Sequence, residues 1–269
     1  MTRLVAYGCS HTAGAELADH IMLGTDIETV NKLKARYISE GDTIPQAWEK
    51  IWKIYGYAVD PYSKFGNIFR SISLKEVPHL EHGEDICRSL TWVRYLAELR
   101  GHTHYMNHGF GGGSLELCLY LLEEDIMDGS IDITKDEIIL QVPHPYRWLE
   151  LQFDSMHKTV TPYEWGNYWN ITWNYYHLLR HMKLLGVKYI FIEAPSSRLQ
   201  SETKADNPDT GEIGGTRRKE VFDKYWQWIG ENAIPTNDEF TPNPRHAGNH
   251  YYTETQKEIA EHLNDKLGN

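Results

Sequence analysis

Short aliphatic and β-branched runs alternate with amphipathic helical stretches along this chain, and that alternation restricts the possible folds more than any other feature. Leu4–Tyr7 ("LVAY"), Glu137–Val142 ("EIILQV") and Val187–Ala194 ("VKYIFIEA") have the length and composition of strands buried on both faces. Thr103–Asn107 ("THYMN") is a weaker example. Between them, "SLTWVRYLAELRG" puts Leu90, Val93, Leu96 and Ala97 on one helical face and stops at Gly101, while "GSLELCLYLLEEDIMDG" stops at Gly129. "TPYEWGNYWNITWNYYHLLRHMKLLG" offers Thr161 as N-cap, Pro162 at the first helical position and Gly186 at the end. The last segment, "YTETQKEIAEHLNDKL", carries a capping box from Thr253 to Gln256 and an apolar stripe of Ile259, Leu263 and Leu267. Strands separated by helices predict a parallel sheet covered on both faces: a doubly wound, flavodoxin-like three-layer α/β/α fold with about five parallel strands, over residues 1–269 as one domain.

Two stretches break the alternation. Residues 24–88 read as an aromatic-rich insertion. It holds an amphipathic helix, "TIPQAWEKIWKIYG", with Trp48, Ile51, Trp52 and Tyr55 at helical spacing, followed by the loop-like "YAVDPYSKFGNIF". The helix face is expected to pack on the domain and the neighbouring loop to wall the cleft. Residues 196–218 are polar and Gly-rich and read as a long surface loop.

Composition narrows the partners. A formal net charge of −11 disfavours nucleic acid and anionic membranes, which need clustered Lys and Arg. No apolar stretch is long enough to span a bilayer, and no basic n-region with an apolar h-region opens the chain. The three cysteines, Cys9, Cys87 and Cys118, have no framework spacing and read as free thiols. A cytoplasmic or virus-encoded protein is the expectation.

Three places carry chemistry. Ser10 stands where the first strand turns sharply into a helix, a position that exposes a nucleophile or, more simply, caps the helix. "NHGFGGGS" (Asn107–Ser114) follows a strand and opens a helix. Its glycines let a backbone approach a substrate closely or merely give a flexible turn, and no phosphate-binding spacing is present. His250 precedes the last helix, as a structural imidazole or, alongside a Ser and a glycine turn at strand ends, a general base. Elsewhere, "HLEHGEDIC" offers His79, His82, Asp85 and Cys87, but Pro78 and Gly83 oppose the regular helix that a His-x-x-His metal pair needs. His102 and His104 alternate as on the face of an edge strand.

In order and context these three places resemble the SGNH, or GDSL-type, hydrolase family. Its first block is matched by Gly8-Cys9-Ser10-His11-Thr12-Ala13-Gly14, its second by Asn107, Gly109 and Gly112, and its last by His250 ten residues before Ala260. The resemblance implies an SGNH-hydrolase fold and a serine esterase working through an acyl-enzyme, with no cofactor and no metal. The substrate it implies is a small O-acyl ester, with an acetylated carbohydrate as one candidate class. It assigns Ser10 as nucleophile, His250 as base, and the Ser10 and Gly112 N–H groups as oxyanion donors, with Asn107 in support. Three departures stand out. The family's G-x-N-D block is replaced by "QVPHPYRWLE", which puts His144 near the oxyanion-hole position. The Asp of the first block, G-D-S, is Cys9 here, read as a packing residue, with a thiol nucleophile as the alternative. The Asp three residues before the last His is Ala247, leaving a Ser-His dyad or a gap for His246 or Asp238 to fill. A non-catalytic carbohydrate-binding or structural assembly module of the same fold is the rival reading.

Overall fold

A computed structural model describes residues 3–15, 17–56, 69–81, 83–111, 113–143, 148–152, 155–160, 168–192, 224, 227–235 and 250–268. Strand β1 (Arg3–Gly8) leads into the short helix α1 (Ser10–Ala13), then α2 (Asp19–Met22), α3 (Ile27–Ser39) and α4 (Ile44–Ile54). Next come β2 (Ser71–Ser73), α5 (Gly83–Ser89), α6 (Trp92–Leu99), β3 (His104–Gly109), α7 (Leu115–Met127) and β4 (Glu137–Gln141). A separate antiparallel hairpin, β5 (Trp148–Gln152) and β6 (Ser155–Val160), precedes α8 (Tyr168–Leu184), β7 (Tyr189–Ile192), β8 (Ala233–Pro235) and α9 (Thr253–Leu267).

The main sheet runs β2-β3-β1-β4-β7-β8. Five strands are parallel and β2 pairs antiparallel on the outer side of β3. The fold is therefore the expected doubly wound α/β architecture with one added edge strand. β1 is central and runs between β3 and β4, so its carboxyl end lies at the point where successive connections diverge to opposite sides.

Alternation along the strands builds two cores. Val5, Tyr7, Met106, Ile138, Leu140 and Ile190 face α7 and α8, meeting Leu115, Cys118, Leu122, Leu179 and Met182. Leu4, Ala6, Tyr105, Ile139 and Phe191 face α6 and α9, meeting Trp92, Val93, Leu96, Ile259, Ala260 and Leu263. Each large aliphatic side chain so buried contributes about 1.5–3 kcal/mol, so the sheet and its two helical layers are fixed by burial and the strand ends are left for chemistry.

Several expectations change. β3 is not an edge strand, because β2 covers it; His102 instead sits below its amino end, with Nε2 2.7 Å from Glu137 Oε2. Trp48 and Trp52 stack at 5.8 Å, but they pack with Leu23, Val30, Ile51, Leu33, Tyr37 and Tyr55, within the added segment rather than on the sheet. Residues 24–88 also supply β2 and α5, so part of that segment belongs to the sheet and its surroundings. The C-terminal helix begins with Tyr252 as its N-cap, and the Thr253–Gln256 capping box does not form. Gln256 is buried, and its Oε1 accepts from Trp92 N at 3.0 Å. It thereby serves the first turn of α6, whose own N-cap, Thr91, makes no capping bond. The Thr161 cap and the 196–218 loop lie outside the described residues. Among the described residues no helix is long and apolar enough to cross a membrane.

Candidate active site

The site is built from the turn at the end of β1. Gly8 ends the strand with no room for a side chain, since a Cβ there would run into Thr12. Cys9 takes the N-cap position of α1 with extended backbone (φ −93, ψ −158), so Ser10 is the first helical residue and not the cap. Gly14 closes the turn at φ +77, a left-handed conformation that only glycine adopts cheaply. The Ser10 hydroxyl is thereby released from capping, and Ser10 Oγ lies 2.9 Å from His250 Nε2. Ser10 is 7% exposed and His250 is half-buried. The two residues are 240 apart in sequence and meet because β1 and the approach to α9 end at the same edge of the sheet.

A second imidazole accompanies the first. The rings of His11 and His250 are tilted against each other with centroids 4.8 Å apart, and the His11 ring also meets Tyr251 edge-on at 6.2 Å. Tyr251 is 4% exposed in the core under α9, which anchors the residue next to His250.

The turn is buttressed from β3. Asn107 Nδ2 donates to the Thr12 carbonyl at 2.6 Å and to Thr91 Oγ1 at 3.1 Å, while Asn107 Oδ1 accepts from Gly109 N at 2.9 Å. Asn107 is buried and turned to the backbone of α1, so it supports the turn rather than facing Ser10 Oγ. Gly109 is pressed against α1 so closely that a Cβ would strike the backbone of Thr12 and Ala13. Phe110 N donates to Gly8 O at 3.0 Å, tying the glycine-rich turn to the end of β1. Thr12 Oγ1 donates to Gln141 Oε1, which secures the other flank through β4.

Below the turn lies a buried cation that the sequence does not advertise. Arg88, 5% exposed, donates from Nη1 to the carbonyls of Asn107 and Gly109, the latter at 3.1 Å. Its Nη2 lies 3.6 Å from Glu84 Oε2, and its guanidinium lies 4.8 Å from the Phe69 ring centroid. Burial pulls the Arg88 pKa down, and the Glu84 carboxylate opposes that shift. Arg88, Thr91 and Gln141 carry no motif; only their contacts identify them.

On the opposite face of β3, His108 is sandwiched between Tyr7 (4.7 Å) and Phe69 (4.8 Å). Burial, aided by Arg88 and Arg3, pushes its pKa down to about 3, so it is neutral. Its Nδ1 lies 3.3 Å from Asp125 Oδ2, which accepts from the Tyr7 hydroxyl at 2.6 Å. Burial raises the Asp125 carboxyl to about 6, against the Tyr7 bond, which lowers it. Cys9 and Cys118 are both buried on this side, and burial pushes the Cys118 thiol up, as suits an inert packing residue.

Of the residues expected at the site, Ser10 and His250 come together and Asn107 lies beneath them. Gly112, His144, His246 and Asp238 lie outside the described residues, as do Ala247 and His82. His79 ends a single 3₁₀ turn, Val77–His79, and no group of three His, Cys, Asp or Glu side chains placed to hold a metal occurs among the described residues.

No protein-family model and no curated protein matches the sequence. Solved structures that it resembles include a member of the lipolytic G-D-S-L family from Veillonella parvula DSM 2008, at 11% identity and TM-score 0.42, covering 98% of this chain and 96% of that one. Another is a W190I mutant of Axe2, an acetyl-xylooligosaccharide esterase from Geobacillus stearothermophilus, at 13% identity and TM-score 0.42 over 99% and 94%. A third is LAE5, an α/β hydrolase from the metagenome of Lake Arreo, at 11% identity and TM-score 0.38 over 97% and 92%.

Proposed function

We propose that this protein is a serine ester hydrolase of the SGNH type, built as one domain with a helical insertion, that acts on a small O-acyl ester through an acyl-enzyme. The observation that carries the reading is the 2.9 Å approach of His250 Nε2 to Ser10 Oγ at the carboxyl end of the central strand. In this reading Ser10 Oγ attacks the ester carbonyl while His250 Nε2 takes its proton. The tetrahedral intermediate collapses as the protonated imidazole gives that proton to the leaving alkoxide, and water then repeats the sequence on the acyl-Ser10. The Ser10 N–H, with Gly112 N–H and the His144 ring as further donors, holds the oxyanion; such donors are worth about 3–4 kcal/mol each in the transition state. An acetylated carbohydrate is the substrate class favoured by the resemblance. No metal or organic cofactor has a part in these steps.

Ala247 stands where the resemblance expects a carboxylate, and the activity is expected to rise with pH as the imidazole base deprotonates. The test is a fluorophosphonate probe together with hydrolysis of a short activated ester. The wild type should be labelled at Ser10 and turn over; Ser10→Ala and His250→Ala should do neither, while Cys9→Ala should retain most of the rate. Equal turnover by wild type and Ser10→Ala would remove the hydrolase reading. Absence of labelling in a folded wild type would favour a non-catalytic binding module, the reading to which the missing G-x-N-D block also points.

A further inference from the structure

We propose that α3, in the segment added between α2 and β2, is a positioning element for His250, acting through a hydrogen bond between Asn31 and Tyr252. The proposal rests on reading His250 as the general base. Asn31 Nδ2 donates to the Tyr252 hydroxyl at 2.8 Å, across 221 residues of sequence. Tyr252 is two residues beyond His250 and is the N-cap of α9, with extended backbone (φ −71, ψ 166) and no side-chain capping bond. Tyrosine is a poor capping residue, so its place there is not explained by the helix that it begins. Its hydroxyl is explained by α3. Between them, Tyr251 is held in the core under α9 and touches the His11 ring, which in turn lies against His250. The three residues 250–252 are thus gripped from the core on one side and from α3 on the other.

For α3 to position anything it must itself be fixed, and the structure supplies the means. Its N-terminus is capped by Asp26, whose Oδ1 accepts from Thr29 N at 2.8 Å. Lys34, one turn beyond Asn31, is fully buried on the same helix. Its Nζ lies 3.6 Å from Asp19 Oδ2 in α2 and 3.7 Å from the centroid of the Trp48 ring in α4. A buried ion pair is a weak source of stability but fixes relative orientation, since a misplaced partner leaves a bare charge in the interior. Asp19 begins α2, the next helix after the one that Ser10 begins, so α3 is registered against the chain leaving the nucleophile and bonded to the chain leaving the base. Asn31 and Tyr252 are positioning residues: neither is required to touch substrate.

The test uses the full chain. Asn31→Ala and Tyr252→Phe should each lower kcat/KM for an activated ester by roughly tenfold or more, with the loss in kcat and KM little changed, as for a displaced catalytic group. The double variant should be no slower than either single one, because both remove the same bond. Asn31→Asp, which can accept from the Tyr252 hydroxyl, should recover much of the rate, and this separates lost positioning from lost folding. Glu28→Ala, at an exposed pair with Lys32 on the same helix, should match wild type. A loss confined to KM, multiplicative losses in the double variant, or single variants as fast as Glu28→Ala would each overturn the proposal. Should the wild type prove unreactive at Ser10, the base reading fails separately. The Asn31–Tyr252 coupling is then read from the His250 imidazole NMR signals, which should shift in Asn31→Ala but not in Glu28→Ala; unmoved signals would refute it.

Discussion

Asn107 Nδ2 donates to the Thr12 carbonyl at 2.6 Å, which joins the exit of β3 to the helix that begins at Ser10. The same side chain bonds Thr91 and Gly109, so one buried amide fixes three segments. Asn107→Ala leaves these groups without that amide in the interior. It should destabilise the protein by about 2–4 kcal/mol, since each abandoned buried group costs about 1–3. Urea unfolding measures the loss, and labelling of Ser10 should slow in the variant under conditions where it remains folded.

Gly109 and Gly111 provide a matched pair. A Cβ at Gly109 would strike the backbone of α1, whereas one at Gly111 meets nothing within 4 Å. Gly109→Ala should therefore cost about 1–3 kcal/mol or more, because backbone and not a flexible side-chain tip must move. Gly111→Ala should unfold at the wild-type urea midpoint within error. Equal midpoints for the two variants would contradict the close approach of β3 to α1.

Gln256 satisfies the first N–H of α6, one that a Thr91 side-chain cap would not reach: Trp92 N donates to Gln256 Oε1 at 3.0 Å, while Thr91 Oγ1 donates to Arg88 O at 2.8 Å and accepts from Asn107. Gln256→Ala should cost about 1–3 kcal/mol, because it strands a buried N–H. Thr253→Ala should cost little, since Thr253 is not the cap. The reverse order of effects would restore the capping box that the sequence suggests.

Asp125 gives stability a pH dependence of known sign. Its folded-state pKa of about 6 lies above the ordinary carboxyl value, so it favours the fold below about pH 4, and that contribution is lost as pH rises through 6. His108 works in the opposite direction: held neutral down to about pH 3, it favours the fold above the ordinary imidazole range and loses that contribution as pH falls. The Asp125→Asn variant retains His108, so its stability relative to wild type isolates the carboxyl. That difference should rise by about 1–2 kcal/mol from pH 4 to pH 7.5, less than an enclosed group would give because solvent reaches part of the carboxyl. A flat difference across this range would show that the carboxyl titrates normally.

The sheet was legible because its signals are local. "LVAY", "EIILQV" and "VKYIFIEA" each hold a strand close to the expected bounds, and Gly101, Gly129 and Gly186 all mark helix ends with positive φ. The Ser10 and His250 positions were legible because strand-end turns and a helix approach leave marks in sequence. What was missed depends on distant partners. α3 leaves a weak mark because Asn31 and Lys34 interrupt its apolar face, and their contacts with Tyr252, Asp19 and Trp48 are all distant in sequence. Thr253 and Gln256 satisfy a capping pattern, yet the packing of α9 on α6 gives Gln256 a different donor. β2 is three residues long, too short to carry a periodicity, and is a strand because β3 offers it an edge.

The small cluster of Leu23, Val30, Trp48 and Ile51 is separate from the two cores that sandwich the sheet. Its cohesion is therefore its own, and the helices around it form a candidate unit of local unfolding, able to open with the sheet intact. Amide hydrogens in α3 and α4 would then exchange together, and faster than those of β1 and β4. Because Lys34 is sealed beneath Trp48, each opening must also rehydrate an ammonium group, which makes the excursion an all-or-none event rather than gradual fraying. A chain of this kind can release the helices α3 and α4 without melting its centre.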